Sequence, residues 1–347
     1  MKFTTIESLD IKEIVDSEYI NWTKFDNSTV LVTGATGLIG SQIVNSILIA
    51  NQTKNTNIKV LALVRNLNKA KAMFSQNNHL EFVVQDISTP INYNNQIDYI
   101  IHTANGTASK EFVETPVETI DSIVIGTKNI LEFAKKQNIK SLVYLSSMEV
   151  YGKTDFNRIE PLSEEDYGYI DILQVRSSYP EGKRLAEAFC KAYASEYNLP
   201  VKIARLVQTI GAGVDINDNR VFAQFAKNAI NKKDIVLHTK GDSIRSYCYI
   251  TDAITGIFTI LERGLSGECY NVANEATTMS IKEMAELVSK NYPESKLKIE
   301  LNEDFYPPAS KLHVSTKKLE NLNWKAKIDL QEMYKRLTEN FKIKTGK

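Results

Sequence analysis

The chain has 347 residues, 43% of them hydrophobic, and its 42 basic and 42 acidic residues cancel to a formal charge of zero. That length can bury a large core in one large domain or two intimate ones, and the neutral balance, without aromatic–basic clusters, excludes nucleic acid as an expected partner. No apolar run approaches the roughly 18 residues of a membrane span, and Met1 to Asp10 holds no apolar signal core, so no membrane is expected and a cytoplasmic location is the default.

Residues 1–27 precede the first strand. Ile6, Leu9, Ile11, Ile14 and Val15 suggest a short amphipathic helix, with Trp22 and Phe25 to anchor it to the body. Packing is its expected role; contact with the adenosine end of a cofactor is the alternative. Thr29–Val32 is short, apolar and β-branched, as a buried strand should be. After it come Thr33-Gly34-Ala35-Thr36-Gly37-Leu38-Ile39-Gly40, and then Ile39, Ile43 and Ile47 at helical spacing, with Val44 and Leu48 beside them. A Gly-rich turn therefore joins a strand to a helix. A side chain at Gly34 or Gly37 would hold the backbone away from a pyrophosphate, which needs the free N–H groups of the helix N-terminus; Gly40 lets the helix pack closely. Gly34, Thr36, Gly37, Leu38, Ile39 and Gly40 are thus candidate cofactor-binding residues.

Ile58–Val64 is the expected second strand, followed by Arg65-Asn66, where the adenosine ribose of a dinucleotide should lie. A carboxylate there would bind the 2′-OH of NAD, whereas a guanidinium can fork onto the 2′-phosphate of NADP. Arg65 therefore points to NADP, with NAD left open and a solvated arginine as the plain alternative. Leu80–Val84 and Asp98–Thr103 are the third and fourth strands, and His102, inside an apolar strand, reads as a core histidine. Pro116–Lys136 is predicted as one long helix, Ser141–Ser146 as the fifth strand, Pro180–Tyr197 as a helix and Val201–Leu206 as the sixth strand. Strands alternating with helices imply an α/β fold with a doubly wound parallel sheet.

Beyond Val207 the pattern is mixed. Gly211-Ala212-Gly213 breaks the chain, Val221–Ile230 looks helical, and Ser246–Ile250 and Glu268–Val272 look like short strands. Ser280 with Glu283 forms a capping box that starts a helix to Lys290. The expected organisation is an N-terminal helical extension over 1–27, a dinucleotide-binding domain over 28–206 and 246–272, and a smaller mixed substrate-binding lobe over 207–245 and 273–347. Cys190, Cys248 and Cys269 follow no metal or redox spacing and read as reduced core residues, so no metal is expected.

Tyr179-Pro180-Glu181-Gly182-Lys183 puts a tyrosine and a lysine four residues apart, on one face of a helix. A tyrosine near pKa 10 is a poor base, and a lysine ammonium beside it is expected to favour the phenolate and lower that value. The pair can then move a proton while a nicotinamide moves a hydride. Ser147 is the expected hydroxyl that hydrogen-bonds the reacting alcohol or ketone.

Three stretches carry a family resemblance. The G-x-x-G-x-x-G turn resembles that of the extended short-chain dehydrogenase/reductases. Leu145-Ser146-Ser147-Met148-Glu149-Val150-Tyr151-Gly152 resembles the end of the fifth strand in their nucleotide-sugar epimerases, dehydratases and decarboxylases. Arg176-Ser177-Ser178-Tyr179-Pro180-Glu181-Gly182-Lys183-Arg184-Leu185-Ala186-Glu187 and Ile244-Arg245-Ser246-Tyr247-Cys248-Tyr249-Ile250-Thr251-Asp252 look especially like UDP-glucuronate decarboxylases. The resemblance spans roughly residues 28 to 340. It implies a catalytic set of Ser147, Tyr179, Lys183 and Glu149. It implies further cofactor contacts at Asp86 and Ile87 (beside the adenine ring), Thr103, Ala104, Ser146, Tyr179, Lys183 and Val207. Substrate contacts are implied at Thr107, Ser109, Ser147, Met148, Glu149, Gln208, Arg220 and Arg245, the last at the nucleotide-sugar end of the cleft. It also implies a homodimer formed as a four-helix bundle by the helix from Pro116 and the helix bearing Tyr179.

Two positions depart from the family pattern. Met148 stands where the dehydratases have an acid that protonates the leaving hydroxyl and the decarboxylases usually have a serine. Gln208 stands where an asparagine is usual. The leading expectation is therefore a nucleotide-sugar epimerase or ketoreductase exchanging hydride at sugar C4. The alternative is a decarboxylase or dehydratase that shares this first step. A non-catalytic cofactor-binding protein is disfavoured, because Ser147, Tyr179 and Lys183 are all present.

Overall fold

The computed structural model describes residues 3–106, 110–302 and 309–346. The chain opens with α1 (Thr5–Val15) and continues through β1 (Thr29–Thr33), α2 (Leu38–Thr53), β2 (Lys59–Val64), α3 (Leu67–Met73), β3 (Leu80–Val84) and β4 (Tyr99–His102). Next come α4 (Glu111–Glu114), α5 (Pro116–Ile120), α6 (Gly126–Gln137), β5 (Ser141–Ser147), α7 (Ser178–Tyr197) and β6 (Val201–Leu206). The C-terminal part holds β7 (Gln208–Ile210), α8 (Val221–Ile230), β8 (Ile235–Leu237), β9 (Ile244–Tyr249), α9 (Ile250–Arg263), β10 (Cys269–Val272) and β11 (Asn274–Ser280). It ends with α10 (Ile281–Asn291), β12 (Leu297–Ile299), β13 (Lys311–Leu312), α11 (Lys317–Glu320) and α12 (Leu330–Thr345).

Seven parallel strands form the main sheet in the order β3-β2-β1-β4-β5-β6-β10. The strand sequences decide which face each residue takes. Val30 and Val32 of β1 enter one core with α1, α2 and α9, while Leu31 between them enters a second core with α6 and α7. Side chains that alternate between two apolar layers explain why β1 and β2 are almost wholly hydrophobic. Each such aliphatic side chain contributes about 1.5–3 kcal/mol on full burial. The smaller sheet is β11-β9-β13 with β7 also on β9, and β12 pairs with β8.

The order of strands reverses between β1 and β4, which opens a crevice at their carboxyl ends, the ligand position of doubly wound sheets. The predicted long helix from Pro116 is interrupted: Asp121–Ile125 is a π-helical turn between α5 and α6. This turn sets Ile123 against Gly182 of α7, where a Cβ would meet its methyls at 3.4 Å. Residues 3–27 pack on the body. Trp22 lies edge-on to Phe25 and Phe258, and Phe25 lies against Tyr99 at the start of β4, at the opposite end of the strands from the crevice. Among the described residues no helix is long and apolar enough to cross a membrane.

Candidate active site

The Gly-rich turn is tightly built. Gly34 has φ +62°, which glycine adopts without penalty, and a Cβ there would meet Ala104 Cα and Thr103 Oγ1 at 2.8 Å. A Cβ on Gly40 would collide with the Gly34 carbonyl oxygen; the helix it begins thus packs on the turn itself. Gly37 caps α2 without a side-chain hydrogen bond, and a Cβ there would meet Gly34 O at 3.2 Å. The turn is pinned to β4: Thr33 Oγ1 accepts from the N–H groups of Thr103 and Ala104 at 3.1 Å, and Thr103 Oγ1 donates to Thr33 O at 2.7 Å. His102 is fully buried between Thr33 and Thr127, and burial pushes it down to about 3, so it stays neutral, as a core histidine should.

These residues fit a nicotinamide dinucleotide. The N-terminus of the sixteen-residue α2 has no side-chain cap, and its dipole favours a pyrophosphate. The amide of Asn105 and the hydroxyl of Ser146, buried at the carboxyl ends of β4 and β5, have no partner among the described residues, as polar groups do when they face a polar ligand. Arg65 and Asn66 follow β2, and both are exposed; Asn66 accepts from Lys69 N and so starts α3. Asp86 is exposed and bonded to Ser88 N, while Ile87 is buried against Gly126. Thr36, Leu38 and Ile39 are half-buried along the turn, and Val207 is buried just past β6.

Ser147 ends β5; its hydroxyl accepts from Glu149 N at 3.2 Å and lies close enough to the phenol of Tyr179 to favour its ionised form. Lys183 lies one turn further along α7, 2% exposed, and donates from Nζ to Leu145 O at 2.7 Å. Nζ sits 4.8 Å from the Tyr144 ring centroid and 5.8 Å from that of Tyr179. The expected lowering of Tyr179 is not found. Burial pushes the phenol up to about 12, with the Ser147 hydroxyl opposing it. Burial also pushes Lys183 down to about 7, with Glu187 and Cys190 opposing. Desolvation disfavours both charged forms and outweighs the opposing neighbours of each.

Beside this set lies a polar group that the sequence only half revealed. Glu149 lies in the 3-10 turn Met148–Tyr151 after β5 and accepts both arms of Arg176, at 2.7 and 2.8 Å. The Arg176 guanidinium also lies 5.8 Å over the ring of Phe112, and Phe112 stacks on Tyr179 at 4.1 Å and 13°. Arg245 is within electrostatic reach of Glu149 and Arg176, and donates to the carbonyls of Ile244 and Ser310 and to Ser310 Oγ. Arg220 acts electrostatically on Tyr179, but is itself forked onto Asp218. Met148 is buried and Gln208 half-buried in β7. Thr107 and Ser109 lie outside the described residues. The structure thus brings Ser147, Glu149, Tyr179, Lys183, Arg220 and Arg245 into one neighbourhood. Arg176 was visible in its motif without a role, and Phe112 gave no sequence signal, because it meets Tyr179 from 67 residues away.

The comparisons with known proteins agree with this geometry. Residues 30–273 match the model of the NAD dependent epimerase/dehydratase family. The chain is 29% identical over 324 residues to UDP-glucuronic acid decarboxylase 6 of Arabidopsis thaliana, covering 92% of this chain and 90% of that one. It is 30% identical over 315 residues to UDP-glucuronic acid decarboxylase 1 of the same plant, covering 90% and 69%. Among solved structures, dTDP-glucose 4,6-dehydratase from Bacillus anthracis in complex with NAD superposes with a TM-score of 0.74 at 22% identity, covering 92% of this chain and 98% of that one. UDP-glucose 4-epimerase of Thermotoga maritima gives 0.74 at 20%, covering 91% and 99%. A seven-stranded parallel sheet, a glycine turn at its switch point and a Ser-Tyr-Lys set beside it therefore go with a family match over most of the chain: this protein belongs to the NAD-dependent epimerase/dehydratase family, enzymes of the extended short-chain dehydrogenase/reductase class.

Proposed function

We propose that this enzyme oxidises the C4 hydroxyl of a nucleotide-linked sugar and that its net reaction is the decarboxylation of a nucleotide-linked uronic acid. The Ser147 hydroxyl beside the Tyr179 phenol, with Arg176, Arg220 and Arg245 around them, carries the reading: it is a proton-handling pair next to groups suited to an anionic substrate. The similarity to UDP-glucuronic acid decarboxylases over nine-tenths of the chain supports the uronic acid. A nicotinamide dinucleotide held by the Gly34–Gly40 turn supplies the hydride acceptor for C4. Tyr179 has to be ionised to receive the C4 hydroxyl proton, which the positive charge of a bound oxidised nicotinamide would favour against the desolvation that holds the phenol protonated; Ser147 fixes the C4 oxygen by its hydroxyl, and buried Lys183 lies beside them. Once C4 is a ketone, a carboxylate on C5 belongs to a β-keto acid, and its C–C bond can break with the electron pair moving onto the C4 oxygen; carbon dioxide leaves, the enolate takes a proton at C5, and return of the hydride to C4 with a proton to its oxygen would give the pentose and restore the oxidised dinucleotide. No departing hydroxyl needs a proton. Met148, which has none to give, therefore disfavours water elimination but leaves this route open.

A second reading is C4 epimerisation or ketone reduction. The Glu149–Arg176 pair favours it over proton removal at C5, since both carboxylate oxygens are taken by the guanidinium. The decisive experiment is turnover of UDP-glucuronate with NAD or NADP, read by carbon dioxide release and product mass. Release of carbon dioxide with a pentose product is expected. An unchanged hexuronate epimer supports the second reading and ends the first, and a product lighter by one water ends both. The same assay reads the cofactor: exposed Arg65 at the end of β2 supports NADP, and Arg65→Asp should swing preference to NAD; tighter binding of NAD by the wild type ends that idea. The family's dimer is the inferred assembly. Exposed Val117 and Ile120 on α5 and Leu185 on α7 support a second copy packed there as a four-helix bundle. The free cysteines Cys190, Cys248 and Cys269 suit a reducing, cytoplasmic compartment.

A further inference from the structure

We propose that Arg176 is the residue that selects a substrate carboxylate, and that Glu149 holds its guanidinium fork until a substrate carboxylate takes that place. The inference rests on the sugar-nucleotide reading above and adds to it the group that tells an acid sugar from a neutral one.

The geometry is that of a ready-made carboxylate receptor. Both terminal nitrogens of Arg176 bind the two oxygens of Glu149, at 2.7 and 2.8 Å, the planar fork that carboxylates fit best. The guanidinium cannot drift, because it lies over the Phe112 ring, and Phe112 is stacked on Tyr179 and tied by its carbonyl to Ser178 Oγ at 3.0 Å. The receptor is therefore held at a fixed offset from the phenol that handles the C4 proton. Glu149 reaches it from two residues beyond Ser147, the other group at that oxygen. On this assignment a carboxylate on a ring carbon next to C4 takes the place that the Glu149 carboxylate holds on the fork.

Accessibility separates this pair from a structural one. Arg205 and Glu187, forked together deeper in the fold, have side chains 1% and 8% exposed, sealed between the Tyr151 and Tyr167 rings. Arg176 and Glu149 are 47% and 26% exposed. Exposed ion pairs contribute little to stability, so replacing one carboxylate by another on the same fork costs little. A neutral hydroxymethyl group offers no such replacement and meets a filled fork. Arg245 lies within reach of both groups with neutral hydrogen-bond partners, so the neighbourhood stays cationic enough to hold substrate carboxylate and Glu149 at once.

The test is equilibrium binding of UDP-glucuronate and UDP-glucose, which differ only in that carboxylate, to cofactor-loaded wild type and three variants. Wild type is expected to bind the acid about tenfold more tightly. Arg176→Met should remove that preference by weakening the acid about tenfold while UDP-glucose stays within about twofold, and Arg176→Lys, a point charge without a fork, should fall between. Glu149→Gln, which removes the competing carboxylate, should tighten the acid several-fold. Equal weakening of both ligands by Arg176→Met, no preference in wild type, weaker acid binding by Glu149→Gln, or binding of neither ligand overturns the assignment. Carbon dioxide release is read separately. Absence of it with the binding pattern intact overturns the decarboxylase reading and keeps Arg176 as the selector; release with no binding difference does the reverse.

Discussion

Tyr179 and Lys183 sit one turn apart on α7, and burial acts on them in opposite senses: the phenol holds its proton more tightly and the ammonium less. A lysine this buried is a cost to the fold. Its folded value, about 7, lies below the ordinary 10.5, so between those limits the unfolded chain binds more protons. Stability should then rise with pH across that window. Lys183→Met keeps much of the volume and removes the desolvated charge. It should raise the thermal midpoint at neutral pH, flatten the rise above it, and reduce turnover by about 10²-fold or more. Thermal melts at several pH values and a turnover assay read this directly; a lowered midpoint together with lost activity would mean that the lysine is a structural strut.

At the scale of elements, the glycine turn separates two roles that spacing alone merges. A Cβ on Gly40 strikes backbone, the Gly34 carbonyl, which no side-chain rotation relieves. A Cβ on Gly37 meets the same oxygen at 3.2 Å and otherwise faces outwards. Gly40→Ala should therefore cost about 1–3 kcal/mol of stability and loosen cofactor binding with it. Gly37→Ala should leave the denaturant midpoint nearly unchanged and weaken only cofactor affinity. Chemical denaturation and calorimetric cofactor titration check the contrast, and equal destabilisation by both would remove it. This turn, the strands β1 to β6 and the Ser147, Tyr179 and Lys183 set were legible because each is a local pattern of few residues. Helix α9 was not, although Thr251, Asp252, Thr255, Thr259, Glu262 and Arg263 recur at helical spacing; that polar stripe does not face water, since Ile250 through Leu261 are all buried. Strand β11 hides for another reason, a register shift between Asn274 and Met279 that breaks its alternation. The π-turn at Asp121–Ile125 and the Phe112–Tyr179 stack depend on tertiary packing, which no window of sequence contains.

Across the whole molecule, the two ends of the chain are clasped together beside the strand that carries Arg245. Asp10 of α1 is fully buried, accepts from Tyr249 Oη of β9 at 2.9 Å and meets Arg336 of α12 at 3.1 Å. Thr4, which caps α1, and Glu7 of α1 also reach Asn340 and Lys344 of α12. Arg336 does little to keep Asp10 charged, because its fork is taken by Glu13 at 2.7 and 2.8 Å and its Nε by Glu332 at 2.9 Å. Burial consequently wins over these hydrogen bonds and lifts Asp10 from 3.8 to about 7. The sign follows. A folded value above the unfolded one means that the folded chain binds the extra proton between 3.8 and about 7, so this contribution is complete below 3.8 and is lost as pH rises through about 7. Asp10→Asn copies the protonated shape without the charge. It should melt above the wild type at about pH 8, where the wild type has lost the contribution, and the gap should close towards about pH 4. Thermal melts of both proteins across that range decide it. A variant that melts several degrees below wild type at the alkaline end would show that ionised Asp10 is the stabilising partner of Arg336, and that the clasp between α1 and α12 is an ion pair and not a buried acid.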